Sequence, residues 1–384
     1  MKVFLVAGEH SGDQLGFKLM QAIRAKRPDV TFLGVGGEAM EREGLKSLFP
    51  LSDIAVVGIL PVVPKIPTIH ERIHATVSAL MIERPDVLVI IDSPDFTHRV
   101  AKRARQLRPD LPVVDYVSPS VWAWRPGRAK AMRAYVDHVL ALLPFEPGEH
   151  YRLNGPKCTY VGHPLTERLD VLRPDAEEEA ARGASPPTVL VLPGSRRTEI
   201  SRLMPDFGAA LGLIREAVGP VDFVLPAVSH LEAEIRAKIE SWPVRPRIVI
   251  GEEEKYAAFR RARAALAASG TVSLELALSG VPMVVAYKIS RPEELLKYLV
   301  RVPSIVLPNL ILSENAVPEI LQEHCTPEAL AKGMIPLIQG GKERQTQISR
   351  LEKLDRLMRL DEGQTPSALA AEIVLRVAEG GEEP

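Results

Sequence analysis

Short apolar runs alternate with amphipathic segments along the first half of the chain. Lys2–Ala7, Thr31–Val35, Val87–Ile91 and 113–117 are continuous apolar stretches too short for helices, and they predict buried strands. Between several of them the apolar positions recur at helical spacing. Over 14–26, Leu15, Leu19, Met20 and Ile23 fall on one face of a helix. Ser11 and Gln14 have the S-x-x-Q spacing of a capping box that starts it. A further helix is predicted over 96–106. Strands alternating with helices imply a parallel sheet covered on both faces.

From 170 to 187 the texture changes to DVLRPDAEEEAARGASPP, charged, alanine-rich and closed by prolines, which reads as a linker. The alternation then restarts, with strands expected at 189–192, 223–225, Arg247–Ile250, 264–267 and 283–286. The expected organisation is therefore a first domain over 1–169, the linker over 170–187 and a second domain over 188–342. A helical tail over 343–384 is expected to pack back toward the first domain. The fold class is α/β, with two doubly wound, Rossmann-like domains. Ligands of such sheets bind beyond the carboxyl ends of the strands, and two such edges facing each other make a cleft for two substrates.

Composition narrows the setting. A length of 384 residues suits two domains, and 46% hydrophobic with 25% charged residues describes a globular chain with an ample core. The formal net charge is −1, so there is no basic field for a nucleic acid. The two cysteines, Cys158 and Cys325, are far apart and outside any metal-ligand spacing, which argues for a reducing compartment. The first apolar run is too short for a signal peptide, and no span of about 20 residues is apolar enough to cross a bilayer. The expectation is a cytoplasmic protein, with peripheral membrane association left open.

Two turns carry candidate chemistry. The first, AGEHSGDQLG, spaces Gly8, Gly12 and Gly16 by four, so the dinucleotide fingerprint is absent, and no P-loop occurs anywhere. The second, LPGSRR, follows a strand and opens a helix, with Gly194, Ser195 and Arg196 at the turn. Helix N-termini favour anions, and arginine adds a bidentate donor for phosphate. A related turn recurs at LAASGTVSLE, where Gly270 permits close backbone approach, Thr271 caps or binds phosphate, and Glu275 lies one turn into the helix. A diphosphate held at two helix starts and Arg196, with a ribose at Glu275, describes a sugar nucleotide. A Gly-Ser-Arg turn is by itself more often only a turn. Two such turns in one domain shift the balance toward a site.

The segments AGEHSGD, GVGGEAM, IDSPDF, YVSPSVWAWR, LLPFE, YVGHP, LPGSRRTEI, ASGTVSLE, PMVVAYK and LPNLI run in this order through most of the chain. In them the sequence resembles the lipid-A-disaccharide synthases, two-domain glycosyltransferases of GT-B architecture. SPSVWAW and LPGSR are the specific segments. The resemblance implies transfer of 2,3-diacylglucosamine from its UDP donor to the 6-hydroxyl of 2,3-diacylglucosamine 1-phosphate. The products would be a β-1,6-linked disaccharide 1-phosphate and UDP. An α-linked donor giving a β-link means inversion by a single displacement.

That reaction needs a base for the acceptor hydroxyl, and Asp92, just after a buried strand, is the first choice, by position and by family analogy. Asp95 in the same turn is the alternative, although it fits a helix N-cap better. Glu9, Ser11 and Asp13 are expected to line the acceptor pocket; for Ser11 and Asp13, helix capping is an equally good reading. The departing diphosphate falls to Arg196 and the two helix starts. With no D-x-D in the chain, no metal and no other cofactor are expected. Asn309 is expected to contact the nucleotide by resemblance alone. Trp122 and Trp124 suit acyl chains, or equally a core. Arg125, with Arg128 and Lys130, suits the acceptor phosphate or a solvated basic face.

One segment departs from the family. Over 54–73, where the family has an exposed apolar helix thought to touch membrane, this chain carries Pro61, Pro64 and Pro67. Three prolines at this spacing cannot sit inside a regular helix, and Thr68 with Glu71 would cap one starting afterwards. The inner-membrane surface and a second copy of the chain remain expected partners. Two other readings stay open: a UDP-sugar 2-epimerase-like enzyme on the same fold, and a non-catalytic sugar-nucleotide or lipid-binding protein. IDSPDF and SPSVWAW speak against the first, and retention of Asp92 with Arg196 against the second.

Overall fold

The computed structural model describes residues 1–55, 65–289 and 302–381. The chain divides into two compact units. Met1–Glu167 and Leu360–Pro384 form one, and Arg168–Arg359 the other. Each is built on a six-stranded sheet whose described pairings are all parallel.

In the first unit the strands are β1 (Lys2–Ala7), β2 (Thr31–Val35), β3 (Val87–Ile91), β4 (Val113–Tyr116), β5 (His138–Ala141) and β6 (Lys157–Tyr160). Their order is β2-β1-β3-β4-β5-β6. All five residues of β3 are buried, because helices cover both faces and neither face meets water. The helix His10–Lys26 buries Leu15, Leu19, Met20 and Ile23 on one face, as their spacing demands. It starts earlier than the Ser11–Gln14 spacing suggests. Glu9 is the extended residue at its N-cap, and Ser11 lies inside the first turn.

The second unit contains β7 (Thr188–Leu192), β8 (Asp222–Ala227), β9 (Arg247–Ile250), β10 (Ala264–Ala268), β11 (Met283–Tyr287) and β12 (Glu319–Leu321), in the order β12-β11-β10-β7-β8-β9. The stretch 170–187 belongs to this unit and differs from a linker. It holds the helix Ala176–Ala181, opened by a capping box between Asp175 and Glu178. Arg182, only 6% exposed, then donates to the carbonyls of Arg260 at 2.9 Å and Ser279 at 2.6 Å. Its guanidinium thus meets the negative ends of the helices Glu252–Arg261 and Thr271–Leu278. The division between units falls at Glu167/Arg168 instead.

The helical tail is also split. Lys342–Met358 is part of the second unit. Pro366–Ala378 packs against His10–Lys26 in the first unit, with Ala370, Ala371, Ile373 and Val374 in the core. Thr365 caps this last helix by accepting from the Ala368 N–H.

Strand order positions the sites. In the first sheet β1 is flanked by β2 and β3, so successive connections leave it in opposite directions. In the second sheet β7 is flanked in the same way by β8 and β10. The crevices beyond the paired ends Ala7/Ile91 and Leu192/Ala267 are the topological switch points of the two sheets.

Candidate active site

At the second unit's switch point the chain leaves β7 through Pro193 and Gly194. Gly194 has φ +114°, and a Cβ there would meet Glu199 Oε2 at 2.4 Å, so the turn accepts only glycine. Arg196 is the N-cap of the helix Arg197–Val218. The two turn amides that lead into this helix, those of Ser195 and Arg196, do not face an open anion hole. Glu199, one turn in, folds back and accepts from the Ser195 N–H at 3.0 Å and the Arg196 N–H at 3.2 Å through Oε2. Its Oε1 receives Arg196 Nη1 at 3.1 Å. An internal carboxylate thus satisfies the turn amides, and Arg196 offers its side chain, 64% exposed. Arg197 turns elsewhere, onto Glu234 at 2.9 Å.

The neighbouring strand β10 ends at Ser269 and Gly270. Gly270, with φ +151°, opens the helix Thr271–Leu278 without any side-chain cap, and space around it is open. The Ser273 N–H turns back to the Gly270 carbonyl at 3.1 Å, and the N–H groups of Thr271 and Val272 are left as the ones available to an anion. Gly194, Ser195, Arg196, Gly270, Thr271 and Glu275 line one cavity of about 890 Å³ within this unit. Glu275 is 9% exposed and receives Lys255 Nζ at 2.6 Å and the Tyr256 hydroxyl at 3.0 Å. Burial and the Glu275 charge push the Tyr256 phenol well above its ordinary range. Lys255, Tyr256 and Arg168 complete the wall, with the Arg168 guanidinium over the Tyr256 ring at 5.2 Å.

Sequence reasoning missed these partners. Glu199 had a signal, being a glutamate three residues after a helix N-cap. Lys255 and Tyr256 had none, because they reach Glu275 from another helix.

Asn309, expected at the nucleotide, is 3% exposed and is not among the residues lining this cavity. Its Nδ2 donates to Val317 O at 2.9 Å and Glu319 Oε1 at 2.8 Å, and its Oδ1 accepts from the N–H groups of Ala316 and Val317 at 2.9 and 2.8 Å. Every strong bond an amide makes is spent on shaping this turn.

At the first unit's switch point Asp92 and Ser93 follow β3 with φ of +55° and +45°. Two successive non-glycine residues in the left-handed region cost on the order of 1–3 kcal/mol each, and such strain clusters at functional sites. The surroundings hold them there. The Thr97 hydroxyl donates to Asp92 O at 2.7 Å, Ser93 N–H to Asp92 Oδ1 at 2.7 Å, and the Ser11 hydroxyl to Asp92 Oδ2 at 3.2 Å. Gly8 permits this approach, since a Cβ there would lie 2.2 Å from that of Ser93. Ser11 and Asp92, from different loops, therefore share one spot, with half-buried Glu9 beside them in sequence.

Asp95 sits in the first turn of Pro94–Leu107, 85% exposed and 3.3 Å from Arg128; Ser93, not Asp95, is the N-cap. Asp13 is 1% exposed and accepts from the N–H groups of Gly37, Ala39 and Met40 at 2.8 to 3.0 Å. It caps the helix Glu38–Arg42, the reading that stood level with an acceptor role, and it also lines a cavity with Gly36, Gly37 and Phe49.

Trp122 and Trp124 are half-buried. The Trp122 indole N–H donates to Glu146 at 3.1 Å, and the Arg125 guanidinium lies 4.9 Å from the Trp124 ring centroid. Of the proline-bearing segment, 56–64 lie outside the described residues, Pro61 and Pro64 among them. Pro67 sits in the first turn of Ile66–Glu83, whose N-cap is Lys65. That helix starts before Thr68, so the Thr68–Glu71 cap does not form. Pro67 is tolerated because first-turn amides need no partner. No helix among the described residues is long and apolar enough to cross a membrane.

Comparison with known proteins follows the same lines. A family model described as lipid-A-disaccharide synthetase matches residues 3–373. A lipid-A-disaccharide synthase of Nitrobacter hamburgensis is 53% identical over 385 residues, covering 100% of this chain and 97% of the relative. Among solved structures, Acinetobacter baumannii MurG superposes with a TM-score of 0.59 at 14% identity, covering 98% of this chain and 99% of that one. A Neisseria meningitidis UDP-GlcNAc 2-epimerase bound to UDP-GlcNAc gives 0.58 at 14% identity, covering 99% of this chain and 100% of that one. At such identities the likeness is one of fold alone.

Proposed function

The chain belongs to the lipid-A-disaccharide synthase family and is a UDP-sugar-dependent glycosyltransferase of lipid A biosynthesis; on that premise we propose how its own residues carry the reaction. Asp92 is the base. Its carboxylate takes the proton from the 6-hydroxyl of 2,3-diacylglucosamine 1-phosphate. That oxygen forms a bond to C1 of UDP-2,3-diacylglucosamine as the bond from C1 to the diphosphate oxygen breaks. UDP leaves with the electron pair, and the configuration at C1 inverts. The observation that carries this reading is the strained, doubly anchored Asp92 at a switch point, where a carboxylate gains nothing structurally from its left-handed backbone.

The donor lies in the cavity of the second unit. Glu275 takes the ribose hydroxyls, and the start of Thr271–Leu278 with the Arg196 side chain takes the diphosphate. Charge grows on that diphosphate as the bond breaks, and donors already in place stabilise it without reorganisation. Arg196 leaves Glu199 for the phosphates, exchanging one carboxylate for a more highly charged partner. The acyl chains of both substrates belong to a bilayer, so the protein works as a peripheral protein on the cytoplasmic face of the inner membrane.

The test supplies UDP-diacylglucosamine alone and then with acceptor. Disaccharide formed only with acceptor supports the reading. An altered sugar formed from donor alone would mean epimerase chemistry, for which the support is fold likeness only. Binding without turnover would remove catalysis altogether.

A further inference from the structure

The loop between β4 and the helix Gly127–Met132 carries the two tryptophans, and it is strained at both ends. Val117 has φ +86° and Arg125 φ +51°. A β-branched residue at positive φ is a genuine outlier, and it persists only where its surroundings over-determine it. Two side chains of one helix supply that constraint. Glu146 and His150 are four residues apart on Glu146–Arg152 and so face the same way. His150, fully buried, lies 2.9 Å through Nε2 from the Ser118 hydroxyl at the loop's start. Glu146, 4% exposed, takes the Trp122 indole N–H on Oε1 at 3.1 Å and the Leu143 N–H on Oε2 at 3.0 Å. The Trp122 ring meets Phe145 edge-on at 5.1 Å.

We propose that Glu146 and His150 are positioning residues that hold the loop 117–126 in the shape that receives the lipid acceptor. This rests on the reading that the tryptophan loop contacts the acceptor. Neither residue touches substrate; each acts through a loop side chain. The arrangement is costly for a purely structural device. Among the described residues the buried Glu146 carboxylate has no ion-pair partner and His150 Nδ1 no hydrogen-bond partner.

Burial lifts the Glu146 carboxyl to about 7, against the opposing pull of hydrogen bonds from the Leu143 backbone, the Trp122 side chain and the Leu142 backbone. Ionised, it accepts both N–H groups on separate oxygens. Protonated, it loses its charge and part of its acceptor capacity, and the Trp122 tether weakens. The other titratable groups around it are Asp115 from β4, which raises Glu146 further, and Cys158 and Tyr160 from β6. Burial keeps Cys158 and Tyr160 neutral through the same range and holds His150 below its usual value. Of Glu146, His150, Cys158 and Tyr160, Glu146 is the one that burial brings to about 7.

The experiment is steady-state kinetics of the full chain with each substrate varied in turn, from about pH 6 to about pH 8.5. Wild-type KM for the acceptor should rise as pH falls through about 7, with KM for the donor flat. Glu146→Gln should raise acceptor KM about tenfold at the alkaline end, the worth of one charge-assisted hydrogen bond, and should flatten its pH dependence. Its UDP affinity should stay within about twofold. Trp122→Phe, which deletes the N–H from the other side, should flatten the profile as well and serves if the glutamine variant does not fold. An acceptor KM that still follows pH in either variant overturns the proposal, as does an equal rise in both KM values. Trp124→Ala separates the two levels. If it leaves acceptor KM unchanged, the loop is not an acceptor surface and the underlying reading fails. If it raises acceptor KM while Glu146→Gln does not, only the tether fails.

Discussion

The hydroxyl of Ser11 donates to Oδ2 of Asp92 across 3.2 Å, joining the loops that follow β1 and β3. Ser93 N–H occupies Oδ1, so the carboxylate is oriented before any substrate arrives. Asp92→Asn should lower kcat by about 10²–10⁴ while the Kd for UDP stays near wild type, because proton removal belongs to the transition state. Ser11→Ala removes one orienting bond and should cost about three- to tenfold in kcat. Asp95→Asn should stay close to wild type. Should Asp95→Asn be the inactive variant, the wrong carboxylate has been chosen.

Arg196 and Arg197 are adjacent but differently committed, the first to Glu199 at the turn and the second to Glu234 on its surface. Arg196→Ala should weaken UDP binding and also lower kcat, the latter by about 10²-fold, as for other preorganised donors. Arg196→Lys should recover only part, since the planar fork is lost. Arg197→Ala should be nearly silent, and EDTA should leave the wild type unaffected. Loss of activity in EDTA with recovery on adding a divalent ion would transfer the diphosphate to a metal.

Glu275 presents a carboxylate between Lys255 and Tyr256 on the cavity wall. If it accepts from ribose hydroxyls, wild type should prefer UDP over 2′-deoxy-UDP by about tenfold. Glu275→Gln should weaken UDP and bring the two ligands close to equal affinity. Calorimetric titration of both nucleotides against both proteins measures this. An undiminished preference in the variant would remove Glu275 from the ribose.

Asn309 saturates a turn that no backbone ladder supports. Asn309→Ala leaves the buried Val317 N–H without its acceptor and the Ala316 N–H with only the Glu314 carbonyl. It should cost about 2–4 kcal/mol of stability, seen as a lower Tm or denaturant midpoint. The Kd for UDP of the folded fraction should not change. A variant of wild-type stability with weakened UDP binding would return Asn309 to the donor site.

Glu146 also predicts a sign for stability against pH. Its carboxyl is raised from 4.5 to about 7 in the folded chain, so an unfolded chain loses this proton first as pH rises. The group's contribution is full below about 4.5 and declines as pH climbs to about 7, by on the order of 3 kcal/mol. The stability difference, wild type minus Glu146→Gln, should fall across that window and be flat above it. Denaturant titrations at three or four pH values decide it, and a difference rising with pH would contradict the buried-carboxyl account.

The sequence by itself determined the sheet interiors. β1 and β3 begin and end where their apolar runs do, because a strand covered on both faces must be apolar through its interior, and the edge strands β2 and β9 match their runs as well. It did not reveal β5, β6 or β12. β6 is an edge strand of exposed and half-buried residues, β12 has three residues, and β5 merges with the apolar stretch after it, so pairing with a neighbour defines each of them. The turns carrying Asp92, Arg196 and Gly270 were also legible, since their glycines and strand-end positions are local features. What each polar side chain does there was decided only in three dimensions. Asp13 caps a helix other than its own, Glu199 takes the turn amides ahead of its own helix, and Asn309 closes a turn. Ser11 finds Asp92 across 81 residues, and Lys255 reaches Glu275 from another helix. Periodicity records which residues must leave water, because burial follows from the local pattern. A hydrogen bond needs a partner within about 3 Å, and for most of these groups that partner is supplied by the packing of elements far apart in the chain.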